Sequence, residues 1–190
     1  MRLLASILFI LLLASCNNQN KNQGSEASQH SIEERGIQIA QTTQAELGKN
    51  LMAQIKKNGN IVALQFCNIK ALPLTDSMAQ VHKAHIKRIT DKPRNPKNKA
   101  NAMERQHIQH YKNQVAAGRE IKPIVTRLGN EVEFYYPIVT NAMCLNCHGT
   151  PKEQLEPITF AKIRELYPED QAINYSENEV RGIWSIRFKK

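Results

Sequence analysis

No apolar run in this sequence is long enough to span a bilayer. The longest, Leu3–Leu13, covers about eleven residues, the size of a secretory signal's hydrophobic region and too short for a spanning helix. This excludes a membrane-spanning protein overall, and 41% hydrophobic residues are enough to build a soluble core. No internal repeat is visible, which argues against solenoids and propellers. Acidic residues are scarce, 17 Asp and Glu against 26 Lys and Arg, for a net charge of +9. That excess points to an anionic partner. Cysteine is sparse as well, at 4 residues, so at most two disulfides could form.

What is present begins with an address. The apolar run ends in Leu13-Ala14-Ser15-Cys16, which resembles a bacterial lipobox, with Cys16 as the lipidated N-terminus of the mature chain. An ordinary signal peptide with an incidental cysteine is the alternative. The expectation is a signal peptide over 1–15, export, and lipid anchoring at the cell envelope facing the periplasm. Asn17 after the anchor, rather than Asp, resembles outer-membrane sorting. Residues 16–30, rich in Asn, Gln, Ser and Gly, read as a flexible tether. Export makes nucleic acid a poor partner for the positive charge. Haem propionates, anionic lipid or an acidic protein suit it better.

The folded domain is expected over 31–190. Ser31 and Glu34 form a capping-box pattern opening a long helix that ends near Gly59. A second helix follows over 61–72, stopped by Pro73, and helical sequence resumes at 75–82. On the second helix Ala63, Leu64, Cys67 and Ala71 share one mostly small face, open either to a flat ligand or to close helix packing. A strand is expected at 86–90, a loop at 91–100, and a helix over 101–117 closed by Gly118. Strands at 121–127 and 131–139 flank the turn pair Gly129-Asn130. Val132, Phe134, Tyr136 and Ile138 mark the buried face of the second, with Tyr135 on the other. A short helix at 160–166 and a strand at 182–188 complete an α+β domain.

The chemistry lies in Cys144-Leu145-Asn146-Cys147-His148. Two thiols separated by two residues can form thioethers with the two vinyl groups of one porphyrin edge, and the adjacent histidine then ligates the iron. Haem c is attached outside the cytoplasm, so the motif and the export signal support one another. A redox-active disulfide and a Cys₃His zinc site including Cys67 are the alternatives. With Cys16 acylated and Cys144 and Cys147 in the motif, Cys67 has no disulfide partner. A second axial ligand could come from Cys67, Met52, Met78, Met103, Met143, His82, His85, His107 or His110. The segment 83–105 is strongly basic, so Arg88 and Arg94 are candidate partners for haem propionates, against the alternative of a solvated basic loop.

Several stretches resemble one known family: Phe66-Cys67-Asn68, residues 87–98 with Arg94-Asn95-Pro96, Tyr136-Pro137-Ile138, Cys144–Gly149, residues 167–172 and Arg181–Ile186. In order and spacing they are similar to bacterial c-type haem domains once catalogued as a domain of unknown function. The resemblance implies a PAS-like antiparallel sheet with flanking helices and a long N-terminal helix. It also implies one covalent haem c whose iron is held by His148 and by Cys67. At one place the chain departs from the pattern: Ile173-Asn174-Tyr175 stands where the family carries Gly before the tyrosine. No output domain is expected to follow the haem domain. The expected function is therefore a redox- or gas-sensing module reporting to a separate redox or signalling protein, with electron transfer as the alternative. A peroxidase-like enzyme is disfavoured because no distal acid–base motif accompanies the histidines.

Overall fold

The computed structural model describes residues 19–190; the signal peptide expected over 1–15 and Cys16 lie outside the described residues. It is α+β, with a long N-terminal helical element, a four-stranded antiparallel sheet and three further helices. Helix α1 runs over Gln19–His82 and is interrupted at Gly59, whose φ of 76° and ψ of 177° are non-helical. The two parts fold back on each other, because Thr42 Oγ1 lies 2.8 Å from His82 Nε2, 40 positions along the chain. A straight helix would separate them by roughly 60 Å. The expected break at Gly59 is therefore the bend of a helical hairpin.

Two expected boundaries differ. The tether at 19–30 is helical and continuous with α1, and Ser31 is not a cap. Once downstream turns are nucleated, adding Gln, Asn, Ser and Glu residues costs little. Pro73 lies inside the second arm rather than ending it. Side-chain hydroxyls add donors to two nearby carbonyls: Thr75 Oγ1 gives to Ala71 O at 2.8 Å, and Ser77 Oγ to Pro73 O at 3.0 Å.

Strands β1 (Ala84–Ile89), β2 (Ile124–Leu128), β3 (Glu131–Val139) and β4 (Val180–Lys189) assemble in the order β1-β4-β3-β2. Gly129 takes φ 59° at the first position of the β2–β3 turn, matching the strand twist. The first arm of α1 covers one sheet face through Ile32, Ile39 and Ala40, packed on Phe134, Trp184 and Ile186. Gly36 permits this approach: a Cβ there would fall 2.2 Å from the Phe134 ring.

Helix α2 (Ala102–Ala116) covers the other face. Asn101 and Glu104 form its capping box, with bonds of 2.9 and 2.8 Å. Tyr135, expected on the outward face of β3, is consequently buried too. Its carbonyl accepts from the Tyr111 hydroxyl at 2.8 Å, and His107 stacks on its ring at 4.5 Å. The second arm of α1 packs Leu64 against Leu155 and Ile163, the latter on α4 (Pro157–Leu166). Helix α3 spans Ala142–His148, and its Cys147 packs against the cluster of Leu64, Leu155 and Ile163.

Candidate functional site

Helix α3 presents the Cys-x-x-Cys-His sequence. Asn141 caps it, accepting from Cys144 N at 3.3 Å, and the same Oδ1 accepts from the Cys144 thiol at 3.3 Å. Immediately before this cap, β3 is irregular at Ile138/Val139, and Thr140 anchors the approach to β4 by donating to Ser176 O at 2.6 Å. Such an irregularity re-aims the chain where pairing ends. Gly149 closes the helix, where a Cβ would sit 2.7 Å from Leu145 O.

The His148 ring is set by its neighbours. Nδ1 lies 2.7 Å from Ala172 O, and a carbonyl can only accept, so Nδ1 carries the proton and the Nε2 lone pair is free. Arg181 Nε sits farther off, 3.4 Å from Nδ1. Burial, followed by the charges of Arg181 and Arg94, holds the imidazole well below the usual histidine range and therefore neutral. Asn174 N and Tyr175 N donate to Gly149 O and His148 O at 3.1 and 3.0 Å, clamping the end of α3 to the 170–175 turn. Asn174 has φ 61°, the left-handed conformation that glycine adopts freely and that asparagine tolerates. The departure from the family pattern thus preserves the turn.

A cavity of about 730 Å³ opens between the two arms of α1, the sheet and α3, and a space of about 270 Å³ adjoins it. Cys67, Arg88, Arg94, Cys144, Cys147 and His148, distant in sequence, all line the smaller space. The three cysteines among the described residues are free thiols. This gives no support to a Cys144–Cys147 disulfide. Nor, among the described residues, does any cluster of three or more His, Cys, Asp or Glu form a metal site of the zinc type. Burial pushes the Cys147 thiol up to about 11, and raises Cys67 against the opposing charges of Arg88 and Arg94. Of the alternative axial ligands only Met143 joins Cys67 on the cavity wall. Met143 stands on α3 with His148, so it cannot reach the opposite face of a group that His148 binds. His82 is bonded to Thr42, His107 stacks on Tyr135, and Met78 packs against the core.

The two arginines separate. Arg88 donates to Ala71 O at 3.3 Å, while its buried Nε has no partner. It keeps a donor for an anion. Arg94, expected beside it in that role, is engaged by protein: it forks onto Asp170 with two contacts of 3.1 Å and reaches Cys147 O at 2.7 Å. Sequence reasoning missed Arg181, Lys92 and Asp170, which complete the surroundings of His148. Lys92 Nζ donates to Ile173 O at 2.8 Å and lies 4.5 Å above the Tyr175 ring. Each stands within or beside the stretches that carry the family resemblance, but only packing brings them together.

Comparison with known proteins agrees with this architecture. A family model described as Tll0287-like matches residues 18–189. The crystal structure of the cyanobacterial haem protein Tll0287 superposes with a TM-score of 0.51 at 18% identity, covering 92% of this chain and 98% of that one. No curated protein matches the chain.

Proposed function

From the premise that this chain belongs to the Tll0287-like family, we propose that it is a haem-binding, cytochrome-like module that senses redox state or a gas. The observation that carries the reading is the convergence of Cys144, Cys147, Cys67 and a neutral His148 with free Nε2 on one cavity. The residues fit a haem c. Cys144 and Cys147 supply the thioether sulfurs at the spacing that attachment requires, and the larger adjoining cavity, which Cys67, Cys144 and His148 also line, falls within the range of cofactor sites, about 300–1,000 Å³. Two buried donors on its wall, Arg88 Nε and Trp184 Nε1, lack protein acceptors. Arg88 is the candidate partner of a propionate.

Bound haem supplies one-electron chemistry and a ligand position at its iron. When haem is bound, His148 would hold the iron through Nε2, with Nδ1–H fixed on Ala172 O. Cys67, from the second arm of α1, would be a second ligand. Burial disfavours its thiolate, so this sulfur would be held more firmly by ferric than by ferrous iron. A ligand that loosens on reduction would suit a sensor; an electron carrier would keep both ligands. The chain is proposed to act at the cell envelope through a lipid on Cys16 and to report to a separate redox or signalling protein.

The test begins with covalent attachment: pigment that acid-acetone cannot extract, and haem staining that survives denaturing electrophoresis. A redox titration with and without carbon monoxide then separates sensor from carrier. Wild type should bind carbon monoxide only when reduced, at a low potential for a cytochrome c. Cys67→Ala should lose the low-spin thiolate signal in electron paramagnetic resonance. Extractable haem, or an unchanged Cys67→Ala spectrum, overturns the reading.

A further inference from the structure

Arg94 and Asp170 make a buried ion pair, their side chains 10% and 1% exposed, that touches three chain segments at once. Arg94 Nε and Nη2 grip the two carboxylate oxygens at 3.1 Å each. The same Nη2 lies 2.7 Å from Cys147 O and 3.1 Å from Ala172 O. Asp170 Oδ1 in turn accepts from Ala172 N at 2.9 Å. Ala172 is therefore held at both backbone polar groups, its N–H by the carboxylate and its carbonyl by the guanidinium. That carbonyl is also the acceptor for His148 Nδ1–H. An ion pair used only for stability has no need of this arrangement, since replacing a buried pair by apolar residues is often neutral or favourable.

We propose that Arg94 and Asp170 are a positioning pair that fixes which nitrogen of His148 carries the proton and how strongly the ring donates through the other. Its consequence for iron rests on reading His148 as a haem ligand; its effect on the ring does not. The physical cause is the placing of one oxygen. Arg94 and Asp170 hold Ala172 O where Nδ1–H meets it at 2.7 Å. The ring is thereby held in a single tautomer. Without Arg94 the carbonyl loses its anchor, and the proton is no longer confined to Nδ1. A purely structural pair would change stability and leave the ring unaffected.

The experiment uses the full chain in two forms. In protein produced without haem attachment, the ¹⁵N shifts of the His148 ring report the tautomer ratio. Arg94→Lys keeps the charge but loses the fork. It should lower the Nδ1–H to Nε2–H ratio by about fivefold, the scale of one net hydrogen bond. Asp170→Asn, which leaves Arg94 in place but weakens the hold on Ala172 N, should move the ratio the same way by a smaller factor. In haem-loaded protein Arg94→Gln should raise the reduction potential and lower the iron–histidine stretching frequency of the reduced form, because a looser Ala172 O holds Nδ1–H less firmly. If both Arg94→Lys and Asp170→Asn fall in melting temperature while their ring shifts match wild type, the pair is structural only and the proposal is overturned. Absence of covalent haem in wild type would defeat the haem reading, while the ring measurement would still decide the proposal.

Discussion

At the scale of single residues, burial raises the Cys67 and Cys147 thiols but lowers the groups that carry positive charge. His107, stacked on Tyr135, is lowered from 6.5 by burial first and by His110 second. Its folded form therefore takes up a proton less readily than the unfolded chain. Stability is unaffected above the ordinary value and falls as pH drops below it toward the depressed one. His107→Gln should flatten that slope, as read from urea midpoints compared at about pH 7.5 and pH 5. Arg88 is also lowered by desolvation, with Cys67 and Tyr167 opposing the shift. Its unpartnered Nε makes it the arginine whose removal should matter electrically. Arg88→Gln should shift the haem potential or its pH dependence in a spectroelectrochemical titration. No shift would return Arg88 to a structural role.

At the scale of elements, the hairpin of α1 depends on one backbone conformation. Gly59 sits at φ 76° and ψ 177°, a region other residues reach only with strain, and a Cβ there would meet nothing within 4 Å. The cost of Gly59→Ala is therefore purely conformational, about 1–3 kcal/mol. Gly48, on the first arm, also has open space around a Cβ but carries no unusual φ. Gly48→Ala should stabilise the chain by about 0.5–1 kcal/mol, because alanine loses less freedom in a helix. Chemical denaturation of the haem-free forms checks both, and equal effects would refute the conformational account. The bend matters to the site because Leu47 and Leu51 lie on one arm and Cys67 and Ala71 on the other, all on the cavity wall.

For the molecule as a whole, the proposed anchor at Cys16 lies outside the described residues, and the cavity lies within them. Among the described residues no helix is long and apolar enough to cross a membrane, so retention at the envelope would rest on the acyl chains at Cys16. Each buried methylene adds about 0.8 kcal/mol to such anchoring. Cys16→Ser should move the protein to the soluble fraction or arrest its maturation, as followed by fractionation and immunoblotting. Unchanged membrane retention would refute the lipid anchor.

The sequence by itself determined the elements whose signals are local. Alternation in β3, the turn pair Gly129-Asn130 and the Cys-x-x-Cys-His spacing each act within a few residues. It misjudged the start of α1 and the effect of Pro73, because helix already formed and packed outweighs composition and a missing donor. It also took Tyr135 for an outward residue, since alternation cannot say whether a second layer covers the other face. The site divides in the same way. Cys144, Cys147 and His148 were legible because their chemistry is contiguous. The roles of Arg88 and Arg94, alike in a basic stretch, were separated only by tertiary structure. Asp170 lies 76 positions from Arg94 and pairs with it, while among the described residues no carboxylate pairs with Arg88 and its Nε stays without a partner, a difference that only packing creates.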